Sequence, residues 1–181
     1  LKNLPTSFCF KVQVPDAQVL PVSGMLDVND YKSVMELNKV SSAIMEQYDI
    51  LNEQTVCLVV DLDKPQIVTH KYVRECSKLL VDNPKLVIFT IGSKQRTGLS
   101  TWQSALGKNT TILQYVDPND ILRILSNSRK HVLTGSLLGW WGATLSQSSH
   151  VVCPNPWEAG AELGTDRNKE WTYTQYAWSY S

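Results

Sequence analysis

The sequence predicts an α/β protein built on a doubly wound, mostly parallel sheet. Strand-length runs rich in apolar residues recur over 55–60, 86–91 and 131–134, with a further strand over 111–116. Strands that are apolar at every position are those buried on both faces, as in parallel sheets. Between these runs, apolar residues recur at three- and four-residue intervals, as amphipathic helices require. Strands and helices alternate along the chain, the order that right-handed crossovers impose.

Residues 1–23 carry Pro5, Pro15 and Pro21 and read as a lead-in segment, with one strand candidate over 8–14. From Asp30, the positions Tyr31, Val34, Leu37, Ile44, Met45 and Tyr48 predict a helix to about Tyr48, with Asn29 or Asp27 as its cap. The strand over 55–60 runs into the turn Asp61-Leu62-Asp63-Lys64-Pro65. A helix over 70–81 follows, with Tyr72, Val73, Cys76, Leu79 and Leu80 on its inner side and Asn83-Pro84 closing it. After the strand over 86–91, a polar loop over 92–100 carries Lys94 and Arg96 and leads to a short helix with Trp102 and Leu106.

The strand over 111–116 ends at Asp117-Pro118-Asn119-Asp120. Here Asp117 caps a helix, Pro118 takes its first turn without losing a needed donor, and Asp120 complements its dipole. That helix turns Ile121, Leu122, Ile124 and Leu125 inward and ends near Asn127. Then come the strand over 131–134, a tight turn at Gly135 and Ser136, a buried helix, another strand, and a loop bounded by Pro154 and Pro156. Residues 24–166 therefore read as one Rossmann-like α/β domain, and 167–181 as an aromatic tail with Trp171, Tyr173, Tyr176, Trp178 and Tyr180. The tail reads as an edge strand or a wrap over an apolar face. Its rings are also of the kind on which sugars stack.

Lys+Arg 17 against Asp+Glu 17 leaves no net charge, so nothing selects nucleic acid as a partner. No apolar run approaches the roughly 18 residues a membrane span needs. Residues 1–23 lack a signal-peptide pattern, and the missing initiator Met leads us to expect a longer parent chain. Cys9, Cys57, Cys76 and Cys153 form no Cys-x-x-Cys pair, which argues against zinc. They read as buried thiols, with one disulfide as the alternative. Asn109-Thr110-Thr111 is a glycosylation acceptor if the chain is secretory.

In doubly wound sheets, ligands bind beyond the carboxyl ends of the strands. Those ends fall here at 60–64, 91–96, 116–117 and 134–136, and none carries a Gly-x-Gly-x-x-Gly or Walker sequence. The turn at Gly135 and Ser136 stands out, because a helix that starts there presents backbone N–H groups to an anion. Arg129, Lys130, Lys94 and Arg96 read either as a solvated basic rim or as phosphate ligands. His70 and His150 lack partner spacing for a metal or a triad, His131 opens a strand, and Trp140 and Trp141 read as core or lid. No residue is assigned a catalytic role, and no metal site is expected.

Asp120-Ile121-Leu122-Arg123-Ile124-Leu125, then Lys130-His131-Val132-Leu133-Thr134, then Ser136-Leu137-Leu138-Gly139-Trp140-Trp141-Gly142-Ala143, then Val151-Val152-Cys153-Pro154-Asn155-Pro156-Trp157 resemble the α1,2-fucosyltransferase family of inverting glycosyltransferases in order and spacing. Upstream, 24–48 resembles that family's Gly-Tyr-x-Gln-Ser helix and 82–89 its second strand, so the resemblance spans most of 24–157. It implies the C-terminal, Rossmann-like lobe of a two-lobed (GT-B type) glycosyltransferase. Such a lobe holds GDP-fucose as donor substrate, with no cofactor, and transfers fucose to the 2-hydroxyl of galactose in a glycan acceptor. It further implies a secretory-pathway (Golgi) enzyme, for which a membrane anchor upstream of these residues stays open, as does the oligomeric state.

By position, Gly135 and Ser136 would lie near the nucleotide phosphates, and Gly139 would replace a small polar residue of the same turn. Asp63 would stand at the acidic end of the family's His-x-Arg-Arg-Gly-Asp sequence. The paired arginines of that sequence are absent, since Val59, Val60, Asp61, Leu62 and Asp63 occupy the region. Leu137 replaces a serine, and Ile91-Gly92-Ser93 replaces an Asp-Asp. An acidic Asp61 there repels a diphosphate by about a kcal/mol or more at close range. The resemblance therefore supports two expectations. One is a transferase in which Lys94, Arg96 or Arg129 replaces the arginines, and the other is a family descendant that binds or scaffolds without transferring sugar.

Overall fold

The fold is taken from a computed structural model that describes residues 36–63, 66–92, 99–146, 148, 150–154, 172–174 and 178–180. The chain order is α1 (Lys39–Gln47), β1 (Thr55–Asp61), β2 (Gln66–Val68), α2 (His70–Leu80), β3 (Lys85–Ile91), α3 (Leu99–Leu106), β4 (Thr110–Leu113), α4 (Pro118–Asn127), β5 (Lys130–Val132), α5 (Leu137–Ser146), β6 (His150–Pro154), β7 (Thr172–Thr174) and β8 (Trp178–Tyr180).

The main sheet has the order β4-β3-β1-β5-β6-β7, and every neighbouring pair is parallel. Numbered along the chain without β2, its six strands run 3-2-1-4-5-6, the order of the doubly wound nucleotide-binding sheets. The order reverses between β1 and β5, and at that point the crossovers leave to opposite sides and open a crevice.

Period-2 alternation along β1 builds two cores. Val56, Leu58 and Val60 face Tyr72, Val73 and Cys76 of α2 and Trp102 of α3. Cys57 and Val59 face Met45 of α1 and Ile121, Ile124 and Leu125 of α4. Leu133, Val151 and Cys153 meet Ala143 of α5. Both faces are thus covered, which is why β1 and β3 are buried along nearly their whole length.

Several boundaries differ from the sequence reading. A single helix from Asp30 does not form, because residues 36–38 are not helical. Asn38 caps α1 instead. Its side chain accepts from the Ser41 N–H at 2.8 Å, and Ser41 Oγ returns a contact to the Asn38 N–H at 2.9 Å. The earlier caps Asn29 and Asp27 lie outside the described residues. Leu79 is on the exposed side of α2, at 62% exposure, and Ser77 faces in by bonding the Val73 carbonyl at 2.7 Å.

The strand expected to Val116 stops at Leu113, because Tyr115 takes a left-handed φ of 61° that no strand accommodates. β5 covers only Lys130–Val132, although Leu133 still donates to the Val152 carbonyl at 2.9 Å. The tail forms two short strands, β7 parallel to β6 and β8 antiparallel to β2. Cys57, Cys76 and Cys153 are buried thiols outside any disulfide, while Cys9, Trp171 and Tyr176 fall outside the described residues. No helix among the described residues is long and apolar enough to cross a membrane.

Candidate functional site at the reversal of strand order

The carboxyl ends of β1 and β5 lead into two short turns. On the β5 side, Tyr72 Oη donates to the Leu133 carbonyl at 2.8 Å from one face. The Thr134 hydroxyl then bonds the Val59 carbonyl of β1, so the chain leaving β5 is fastened to both neighbouring elements. Gly135 follows with φ 80°, a conformation that costs a residue with a Cβ of the order of 1 kcal/mol or more. This bend swings the chain from the sheet into α5.

Ser136 is the cap of α5. Its carbonyl accepts from the Trp140 N–H at 3.1 Å and its Oγ accepts from the Gly139 N–H at 3.5 Å. The residue is 1% exposed, so its hydroxyl belongs to the helix and faces inward. The groups that remain for a ligand are backbone ones. In the first turn of a helix the leading N–H groups have no intrahelical partner, and here those groups belong to Leu137 and Leu138, both partly exposed. Together with the positive end of the helix dipole they form the kind of helix start at which anions can be held. The sequence points to this turn through the backbone N–H groups at Gly135 and Ser136, and the structure turns the Ser136 hydroxyl to its own helix.

Gly139 faces the sheet. A Cβ there would sit 3.7 Å from Val59 Cβ, in ordinary contact, so the position packs α5 on β1. Gly142, one turn on, lies against Leu125 of α4. Trp140 and Trp141 meet edge to face with centroids 5.0 Å apart.

The β1 side is acidic. Asp61 Oδ1 accepts from the Asp63 N–H at 3.0 Å in an Asx-type turn, and the Leu62 N–H donates to the Ile91 carbonyl at 2.8 Å. Gly92, with φ 106°, lets Asp63 close in, since a Cβ there would stand 2.9 Å from Asp63 Cγ. Asp63 is exposed and Asp61 partly so. The structure thus brings Asp63 and the Gly135-Ser136 turn to the ends of adjacent strands, and places Gly139 beneath them. Lys94 and Arg96 lie outside the described residues.

Arg129 and Lys130 are at the other end of the sheet. Both pair with Glu53, Lys130 Nζ reaching its carboxylate at 2.8 Å and its backbone carbonyl at 2.6 Å. These two cations hold the Glu53 carboxyl below the usual carboxylate range. Lys130 is buried rather than solvated, and Arg129 does not reach the carboxyl edge, so neither serves as a phosphate ligand there.

His131, at the same amino end, is buried with Nε2 3.3 Å from Ser128 Oγ and 3.2 Å from Ser146 Oγ. Burial pushes its pKa down to about 4, so it is neutral at pH 7. Cys57, its register partner on β1, is pushed up to about 12 by burial. The pair is core, remote from the crevice. Among the described residues, no three His, Cys, Asp or Glu side chains converge as a metal site would need. No family model matches the chain, and no curated protein is significantly similar to it.

Proposed function

We propose that this chain is the donor-binding, Rossmann-like lobe of a glycosyltransferase of α1,2-fucosyltransferase type. In this reading the diphosphate of GDP-fucose sits on the first turn of α5. The observation that carries it is a helix N-terminus, opened by a left-handed glycine, at the one place where the strand order reverses. The order and spacing of residues 120–157 point to the same family.

In this reading the 2-hydroxyl of a galactose attacks the fucose anomeric carbon from the face opposite the nucleotide and releases its proton to water as the new glycosidic bond forms. The bond to the β-phosphate oxygen breaks, and GDP leaves with the electron pair. The Leu137 and Leu138 N–H groups and the α5 dipole oppose the charge that grows on that oxygen. Thr134 fixes the turn so that these donors need no reorganisation. Lys94 and Arg96, which follow Gly92 in sequence, supply the cations that the missing arginine pair would have given. The acceptor is a glycan, and the site of action is the secretory pathway.

A second reading is favoured by a specific observation. Asp61 and Asp63 stand at the end of β1, where a diphosphate calls for cations. A descendant that binds a nucleotide or a glycan without transferring sugar fits that acidity. Calorimetric titration with GDP and GDP-fucose, with and without divalent metal, combined with an assay of fucose transfer to a galactoside, separates the readings. Binding with transfer supports the enzyme, and binding without transfer supports the module. No heat at millimolar nucleotide removes the enzyme reading.

A further inference from the structure

The donor site at α5 makes no use of Asn109-Thr110-Thr111, the only Asn-x-Ser/Thr triplet in the chain. The fold presents its asparagine outward. α3 ends at Leu106, and the Thr110 N–H then closes a four-residue turn onto the Gly107 carbonyl at 3.2 Å. Asn109 is the third residue of that turn. Its backbone carbonyl accepts from the Leu86 N–H of β3 at 2.8 Å, so the main chain is held to the sheet while the side chain is exposed. Gly107 and Lys108 beside it are exposed as well, and a Cβ on Gly107 would meet nothing within 4 Å. A bulky group on the Asn109 carboxamide therefore has room without displacing any element.

Its place in the sheet gives such a group a use. Asn109 directly precedes β4, which ends the strand order and pairs with β3 alone among the described residues. A terminal strand offers its outer backbone groups to another chain, and proteins guard such edges with charge, proline or a cover. Thr110–Leu113 has neither charge nor proline, and Thr111, Ile112 and Leu113 are only half-buried. Because the strands are all parallel, this turn lies at the amino end of the sheet, opposite the crevice at α5.

We propose that Asn109 carries an N-linked oligosaccharide that shields the β4 edge from pairing with a second chain, a reading that rests on the secretory-pathway placement above. The donor is an oligosaccharide on a lipid diphosphate, delivered by the oligosaccharyl transferase of the endoplasmic reticulum. Asn109 Nδ2 bonds to the anomeric carbon of the first sugar and gives up one proton. The bond from that carbon to the diphosphate oxygen breaks, and the lipid diphosphate leaves with the electron pair. The glycan is bulky and hydrophilic, so it covers the edge without entering the core.

Translation of the full chain behind a cleavable signal peptide, in the presence of microsomes, tests the site. Protease-protected chain is expected to gain mass, and endoglycosidase H is expected to remove the gain. Asn109→Gln and Thr111→Ala abolish the gain, whereas Thr111→Ser keeps it. Protected chain without added mass, or with mass that survives Asn109→Gln, overturns the site. The shield is read by sedimentation of chain purified from a eukaryotic secretory host. Asn109→Gln self-associates at concentrations where the glycosylated chain does not, and equal association of the two overturns the shield. Finding the chain of its own cells outside the secretory lumen removes the placement and the proposal with it. Failure of acceptor activity in microsomes leaves that placement standing.

Discussion

A Cβ on Gly142 would stand 2.3 Å from the Cβ of Leu125, which makes this glycine the point where α5 and α4 come closest. Both atoms belong to rigid helices, so neither side can yield without moving an element. Gly142→Ala is therefore expected to destabilise the fold by about 1–3 kcal/mol, despite alanine's better helix propensity. Gly139→Ala is the control. Its Cβ would meet Val59 at 3.7 Å, so propensity prevails and stability rises by about 0.5–1 kcal/mol. Denaturant unfolding of the two variants checks the opposite signs.

His131 couples stability to pH. Its folded pKa of about 4 lies below the ordinary 6.5, so in between the unfolded chain binds the proton more readily. Stability from this residue is complete above pH 6.5 and is lost as pH falls towards 4, by roughly 3 kcal/mol in all. His131→Gln keeps a polar group near Ser128 and Ser146 but does not titrate. Its unfolding free energy should fall less between pH 7 and pH 4 than that of the unaltered chain, and parallel pH profiles would contradict this account.

Asp61→Asn tests the acidity of the crevice. The amide oxygen still accepts from the Asp63 N–H, so the turn is kept and one negative charge goes. GDP affinity should increase several-fold, as removal of about 1 kcal/mol of repulsion implies. An unchanged dissociation constant by calorimetry would place the diphosphate away from β1.

Leu137→Glu sets stability against binding. A carboxylate in the first turn of α5 favours the helix dipole, so stability holds or rises by about 0.3–1 kcal/mol. The same charge displaces a phosphate, and GDP should bind about 10-fold or more weakly. Loss of binding with an unchanged melting temperature distinguishes a ligand contact from a folding defect.

Features fixed by local rules could be read from the chain. The interiors of β1 and β3 are largely apolar because both faces are covered, and Asp117-Pro118 starts α4 through its own cap and φ. Gly135 marked the bend, since left-handed backbone favours glycine. What escaped depends on distant partners. β2 is three residues long and forms only because 178–180 returns to pair with it. Lys130 looked solvated, but Glu53, from the loop before β1, draws it inside. The Ser136 hydroxyl looked available for a phosphate, yet it caps its own helix. Tyr115 carried no local mark, because a tyrosine gives no hint of positive φ.

The most direct test of the central claim is an amide NMR titration of the chain with GDP. The account predicts that the largest shifts fall on the N–H groups of Leu137 and Leu138, at the reversal between β1 and β5. Saturable shifts confined to other residues, or none at millimolar GDP, would contradict it.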